Sequence, residues 1–185
     1  MCIRDSSGIA SRVGQWVDLT DGKIQVWDTR KTTPGLRSLE KAAVRAGGGV
    51  NHRGNLSDWV MFKDNHLTVL GVTEAVKRAR EVWPARTVHV ECDRIEQMVE
   101  AIEIGADVCL LDNMTPEQIV ECVRVANEMR AKQNAKVLLE ISGGVNDDSI
   151  AAYAETGADL VSSGSLTNSS ENLDIGLDID TLPTA

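Results

Sequence analysis

Apolar residues in this chain come mostly as short runs, some broken by a single polar residue. The runs at 24–27, 59–62, 88–90, 108–111, 137–141 and 160–161 are rich in Val, Ile and Leu and are flanked by polar residues. Runs of this kind mark strands buried on both faces. Between them the spacing changes to that of helices. Leu36, Leu39, Ala43 and Val44 form an apolar stripe over 36–46, 73–82 reads similarly, and Ile95, Met98, Val99 and Ile102 share one face of 94–104. A helix over 117–129 starts after Thr115-Pro116, an N-cap residue followed by proline at the first helical position. The series closes with a helix over 148–156, ahead of Gly157.

Strands alternating with helices imply right-handed crossovers and a parallel sheet. No G-x-G-x-x-G follows the first run, which weighs against an open dinucleotide-binding sheet. Polar residues gather instead after strand upon strand: Asp28 to Lys31, Lys63 to His66, Glu91, Asp112-Asn113, Ser142 to Gly144 and Ser163 to Ser165. Barrels of the (β/α) type place their active-site groups at these C-terminal strand ends. The predicted fold is therefore α/β, a partial TIM-like (β/α) barrel of about six parallel strands, where a complete barrel has about eight. Residues 7–170 form its domain. Residues 1–6 carry Arg4 but no following apolar run, so they read as a cloning or gene-boundary remnant rather than a signal or transit peptide.

Composition narrows the function classes. The chain has 185 residues, a formal charge of −9 and 42% hydrophobic residues, with no apolar stretch near the ~20 residues of a membrane span. An acidic chain is a poor nucleic-acid binder by bulk charge, so any anionic ligand requires a local cluster of cations. Cys2, Cys92, Cys109 and Cys122 form no C-x-x-C pair and read as reduced thiols, which with the lack of an export signal points to the cytoplasm. Aromatic residues make up only 3%, leaving aliphatic side chains to build the core.

Such a cluster is present. Thr29, Arg30 and Lys31 follow the first strand, His52 and Arg53 precede the second after Gly47-Gly48-Gly49, and Lys63 ends the second. Guanidinium forks and ammonium charges at shared strand ends make a trap for carboxylate or phosphate; the bland alternative is solvated surface charge. Glu91 and Asp112 end consecutive strands and can face each other, to hold Mg²⁺, bond sugar hydroxyls or stabilise a cation, or else act as helix N-cap acids. Ser142-Gly143-Gly144 and Ser163-Gly164-Ser165 offer backbone N–H groups to a phosphate. Glu140 is read either as structural or as pointing into the barrel to orient a base. His66 reads as an N-cap neighbour and His89 as a core histidine.

The strings Asp28 to Arg37 (DTRKTTPGLR), Gly47 to Arg53 (GGGVNHR), Lys63 to His66 (KDNH), Leu111 to Met114 (LDNM) and Ser142 to Gly144 (SGG) resemble the quinolinate phosphoribosyltransferase family from about Ser7 to Asp180. The resemblance implies the conversion of quinolinate and phosphoribosyl pyrophosphate, with Mg²⁺, to nicotinate mononucleotide, pyrophosphate and CO₂ in NAD biosynthesis. It implies that Arg30, His52, Arg53 and Lys63 grip the quinolinate carboxylates, with Thr29 in the same group and Lys31 nearer the pyrophosphate. Glu91 and Asp112 would serve the ribose hydroxyls and the Mg²⁺-pyrophosphate side, without binding the metal directly, and the turns at 142–144 and 163–165 would hold the 5′-phosphate. Lys63, Glu91 and Asp112 are the catalytic candidates.

Family members carry a further N-terminal α/β domain and form homodimers or higher homo-oligomers. Residues 171–185, which alternate like a strand from Leu173 to Ile179, would pack on that domain. Asn168 stands where many members have His, and Ser162 where Val is expected, a small loss of packing. The competing readings are a pyridine-base phosphoribosyltransferase without decarboxylation, a Schiff-base lyase using Lys63, and a non-catalytic phosphate-binding module.

Overall fold

The computed structural model of the protein describes residues 3–133 and 136–179. Six parallel strands, β1 (Gln25–Trp27), β2 (Val60–Phe62), β3 (Val88–Cys92), β4 (Val108–Asp112), β5 (Leu138–Ser142) and β6 (Leu160–Ser162), form one sheet in the order β1-β6-β5-β4-β3-β2. The helices are α1 (Ile3–Thr20), α2 (Arg37–Ala46), α3 (Asp64–Leu70), α4 (Val72–Val82), α5 (Ile95–Glu103), α6 (Pro116–Gln133), α7 (Ile150–Ala154) and α8 (Ser165–Asn168). The six strands and five helices predicted between residues 24 and 161 are all present. Among the described residues no helix is long and apolar enough to cross a membrane.

Although β1 and β2 lie at opposite ends of the strand order, Trp27 and Trp59, at and beside those edges, have ring centroids only 6.5 Å apart. The sheet is thus curled into a barrel-like form. Between its edges runs the segment at 50–52, bonded to β1 through Val50 N–H to Val26 O at 2.8 Å and Asp28 N–H to Val50 O at 3.1 Å.

Alternation along the strands sorts the side chains. Val88, Val90 and Cys92, Cys109 and Leu111, Leu139 and Ile141, and Val161 point outwards and form the buried apolar core beneath the helices. Their neighbours Met61, His89, Glu91, Leu110, Glu140 and Ser162 point inwards, so the barrel interior is unusually polar. In-register pairs such as Asp112 with Ser142 and Trp27 with Ser162 bring the C-terminal strand ends to one level. Cys92, Cys109 and Cys122 are buried free thiols, as expected; Cys2 lies outside the described residues.

Three helices lie where sequence periodicity assigns none. Helix α1 buries Ile9, Val13 and Trp16, one stripe at i, i+4 and i+7, but Gly8 and Gly14 blunt its helical signal. Residues 3–6, read as a remnant, form its first residues. The glycines of the 47–49 turn let this helix close on α2: a Cβ on Gly49 would sit 2.8 Å from Val13 Cγ1 and 2.9 Å from Val44 Cγ1. Helices α3 and α8 are short and carry little periodicity. At α6 the predicted cap is reciprocal, since Gln118 N–H reaches Thr115 Oγ1 at 3.4 Å and Thr115 N–H reaches Gln118 Oε1 at 2.8 Å. The expected strand at Leu173–Ile179 does not form. That stretch has one backbone bond to α1, Leu173 N–H to Arg4 O at 3.3 Å, and no ladder partner to hold it extended; 180–185 lie outside the described residues.

Candidate functional site

Strand register places the cationic residues together. A cavity of about 140 Å³ at the C-terminal end of the barrel is lined by Thr29, Arg30, Lys31, His52, Arg53 and Lys63, with Glu140 and Ser142 in the same wall. It adjoins a wider recess of about 570 Å³ that shares Arg30, Arg53 and Lys63 and adds Trp59, His66 and Arg86. Burial pushes the Arg53 guanidinium below its ordinary value, and the charge of Arg30 adds to this. Two cations forced together in an acidic chain are a strong local attraction for an anion.

The loops that carry these cations are fixed from below. Asp28 is fully buried and its carboxylate accepts from Lys41 Nζ at 2.5 Å, Asn51 Nδ2 at 2.8 Å and His52 N–H at 2.7 Å. Lys41 also donates to His52 O at 2.9 Å. Four residues earlier on α2, Arg37 donates to Thr32 Oγ1 at 3.0 Å, Gly54 O at 3.1 Å and Arg30 O at 3.1 Å. One helical face thereby ties the Arg30 loop to the Arg53 loop. Lys41 and Arg37 escape sequence reading as site residues. Their signal is two cations spaced i, i+4 on a helix whose buried residues are Glu40, Lys41, Ala43 and Val44.

Lys63 forms an ion pair with Glu91, whose other oxygen accepts from Asp64 N–H at 3.4 Å. Glu91 and Asp112 share a second cavity of about 430 Å³ with Asp64, Asp93 and Arg94. Burial raises the Asp112 carboxyl above its ordinary value, and the facing Glu91 charge raises it further. The two carboxylates therefore line one cavity and repel one another.

The two glycine turns border the cavity rather than line it, apart from Ser142. Gly143 and Gly144 have φ of 83° and 67°, and a Cβ on Gly143 would collide with the side chain of Asn113, which caps the neighbouring strand. Ser163 Oγ and Ser165 Oγ lie 2.9 Å apart, and Gly164 packs against the Lys31 side chain, so the turn after β6 touches the cation loop. His66 behaves as an N-cap neighbour: its Nδ1 accepts from Lys63 N–H at 3.1 Å. His89 is buried, but beside Glu140 rather than in apolar surroundings.

Ser162 is a correction. Its hydroxyl donates to Glu140 Oε1 at 2.5 Å, so it is a polar partner in the barrel interior and not a packing loss. Asn168 lies on α8, with its side-chain oxygen accepting from Ser169 Oγ at 2.7 Å.

Comparison with known proteins agrees with this geometry. The family described as "Quinolinate phosphoribosyl transferase, C-terminal domain" matches residues 9–178. A probable nicotinate-nucleotide pyrophosphorylase (carboxylating) of Methanocaldococcus jannaschii is 41% identical over 177 residues, 94% of this chain and 62% of that protein. The nicotinate-nucleotide pyrophosphorylase (carboxylating) of Mycobacterium leprae is 44% identical over 175 residues, 94% of this chain and 60% of that protein. The chain thus spans about three fifths of the length of these curated relatives. A crystal structure of nicotinate-nucleotide pyrophosphorylase from Ehrlichia chaffeensis superposes with a TM-score of 0.88 at 43% identity, covering 96% of this chain and 63% of that one. With the family model matched over residues 9–178, the chain belongs to the quinolinate phosphoribosyl transferase family, and that segment corresponds to its C-terminal domain.

Proposed function

We propose that this chain carries the transfer site of a carboxylating nicotinate-nucleotide pyrophosphorylase, which turns quinolinate and phosphoribosyl pyrophosphate into nicotinate mononucleotide, pyrophosphate and CO₂ for NAD synthesis. The observation that supports this most is one cavity walled by Arg30, Lys31, His52, Arg53 and Lys63 in a chain of net charge −9. A dianionic pyridine is a ligand of matching charge and size. Arg30, His52, Arg53 and Lys63 would take its two carboxylates, with Lys31 towards the diphosphate.

As diphosphate leaves the anomeric carbon, positive charge grows on the ribose, and Glu91 and Asp112 stand where they can offset it. The pyridine nitrogen attacks that carbon, so no protein nucleophile is needed. Alkylation makes the ring nitrogen cationic; it accepts the electron pair left when the adjacent carboxylate departs as CO₂, and a solvent proton completes the product. The protein's part in that step is positioning.

Mg²⁺ fits the donor set beside this cavity. Asp112 and Glu91 place two mutually repelling carboxylates beside it, a repulsion that a divalent cation carried by the diphosphate would relieve. When bound, it would supply charge neutralisation for the leaving group. We further infer a homodimeric or higher homo-oligomeric enzyme acting in the cytoplasm.

The test mixes the chain with Mg²⁺, phosphoribosyl pyrophosphate and quinolinate and follows nicotinate mononucleotide and CO₂, beside Lys63→Ala. Product that vanishes with Lys63→Ala is the expected result. Binding of both substrates without turnover would keep the recognition site here and assign catalysis to the longer protein. Failure to bind either substrate would overturn the reading.

A further inference from the structure

Glu140 sits in the middle of β5, wholly buried, with its side chain turned into the barrel. A carboxylate in that position must be met by donors or be neutralised. Its Oε1 accepts from Ser162 Oγ at 2.5 Å and lies 3.2 Å from His52 Nε2. His89 Nδ1 stands 3.7 Å from Oε2, too far for a hydrogen bond, and has no other partner. Burial alone would raise this carboxyl, but the interactions with His52, His89 and Ser162 hold it down to about 2, so it is an anion at neutral pH.

An ionised carboxylate only accepts. The ring nitrogen of His52 that faces it therefore carries a proton. The His52 ring is also pinned from the side: Trp59 meets it edge-on at 4.8 Å and Trp27 at 6.0 Å, while Trp59 stacks flat on His89 at 4.7 Å and 4°. We propose that Glu140 is a positioning residue, whose buried carboxylate keeps a proton on His52 Nε2 and holds the imidazole in the wall of the anion cavity.

The donor atoms of His52, His89 and Glu140 lie within 4.8 Å of one another, a spacing that a transition metal could also span. The charges oppose that alternative. Arg30, Arg53 and Lys63 line the same cavity and would repel a second cationic centre.

The role towards a dicarboxylate rests on the proposed function; the role towards His52 does not, and the two are tested separately. Uniformly ¹⁵N-labelled chain, wild type and Glu140→Gln, is studied by long-range proton–nitrogen correlation of the imidazole rings in the presence of EDTA. With 3 histidines in the sequence, assignment needs only the His66→Gln and His89→Gln variants. Wild-type His52 is expected to show a protonated Nε2. In Glu140→Gln the amide can donate to that nitrogen, and the proton is expected to move to Nδ1. An unchanged pattern in Glu140→Gln overturns the proposal. So does a wild-type pattern that changes when EDTA is added, because a metal would then be fixing the rings. If Glu140→Gln fails to fold, the wild-type spectrum still decides, since His52 found as the Nδ1–H tautomer overturns the assignment.

Calorimetric binding of pyridine-2,3-dicarboxylate to the same two samples is the second readout. Removing a negative charge beside an anion site should tighten binding if charge alone mattered. Positioning requires the opposite, a loss of about tenfold or more. Tighter or unchanged binding overturns the ligand half of the proposal. A wild type that binds no dicarboxylate, with His52 still dependent on Glu140, defeats the functional reading and leaves the positioning role standing.

Discussion

Asp28 and Glu91 each stand at the C-terminal end of a strand region, and each meets a lysine. Asp28 and Lys41 are sealed, with side chains 0% and 9% exposed, and the carboxylate has further donors from Asn51 and the His52 backbone. Glu91 and Lys63 meet at the rim, where Glu91 is 10% and Lys63 47% exposed and both border cavities. The same pair of functional groups thus does two different jobs. The enclosed pair sets where the loops run, while the open pair keeps two charges available to incoming ligands. Burial and the number of donors decide between these roles, not residue type.

That contrast can be broken most forcefully at Lys41. Lys41→Met leaves Asp28 buried without its cation, and such a loss is expected to cost about 3–5 kcal/mol, read from urea denaturation. The double variant Asp28→Asn with Lys41→Met should recover most of it, because no uncompensated charge remains.

Glu140 extends the comparison to pH. Its folded value of about 2 lies below the ordinary 4.5, so its contribution to stability is fully present above pH 4.5 and is lost as pH falls from there towards 2. The loss is on the order of 3 kcal/mol. Denaturation midpoints across that window should fall steeply in wild type and much less in Glu140→Gln.

At the rim, Lys63→Ala should do the reverse of Lys41→Met. With Lys63 itself half-exposed, the pair contributes about 1 kcal/mol or less to stability, yet binding of the dianion should weaken by about 100-fold in titration calorimetry. Gly143→Ala is expected to be milder, about 1–2 kcal/mol by thermal denaturation, for placing an alanine at φ 83° against Asn113. Arg124, ion-paired with Glu121 and Glu128 on the solvent face of α6, marks the lower end, and Arg124→Ala should leave the melting temperature unchanged.

The strands were legible because their outward faces are apolar and their inward faces carry few charges, so each stands out as a run. Helices α4, α5 and α6 were legible from stripes and from Thr115-Pro116. Helix α1 was not, since its stripe of Ile9, Val13 and Trp16 is interrupted by Gly14 and preceded by Gly8, which lies against the Glu171 backbone. The rim cations were readable because strand ends in a parallel barrel converge by topology. Lys41 was not, because one lysine on a helix looks solvated until the turn at 47–49 folds it back onto Asp28. Glu140 was readable only as one of two alternatives. Its partners come from the inward positions of β3 and β6 and the 50–52 segment, and no single stretch of sequence displays that convergence.

The unpaired gap between β1 and β2 gives the cation cluster a mechanical property. Arg30 follows one lip of this gap and Lys63 the other, while His52 and Arg53 lie on or just past the strip that fills it. A dianion seated among them, as proposed above, would act as a clasp: each carboxylate would draw a different lip inwards, so that filling the cavity would also tighten the barrel's circumference. Ligand recognition and closure of the cylinder would then be a single event, and amide exchange along β2 and the 50–52 strip should slow together when the cavity is filled.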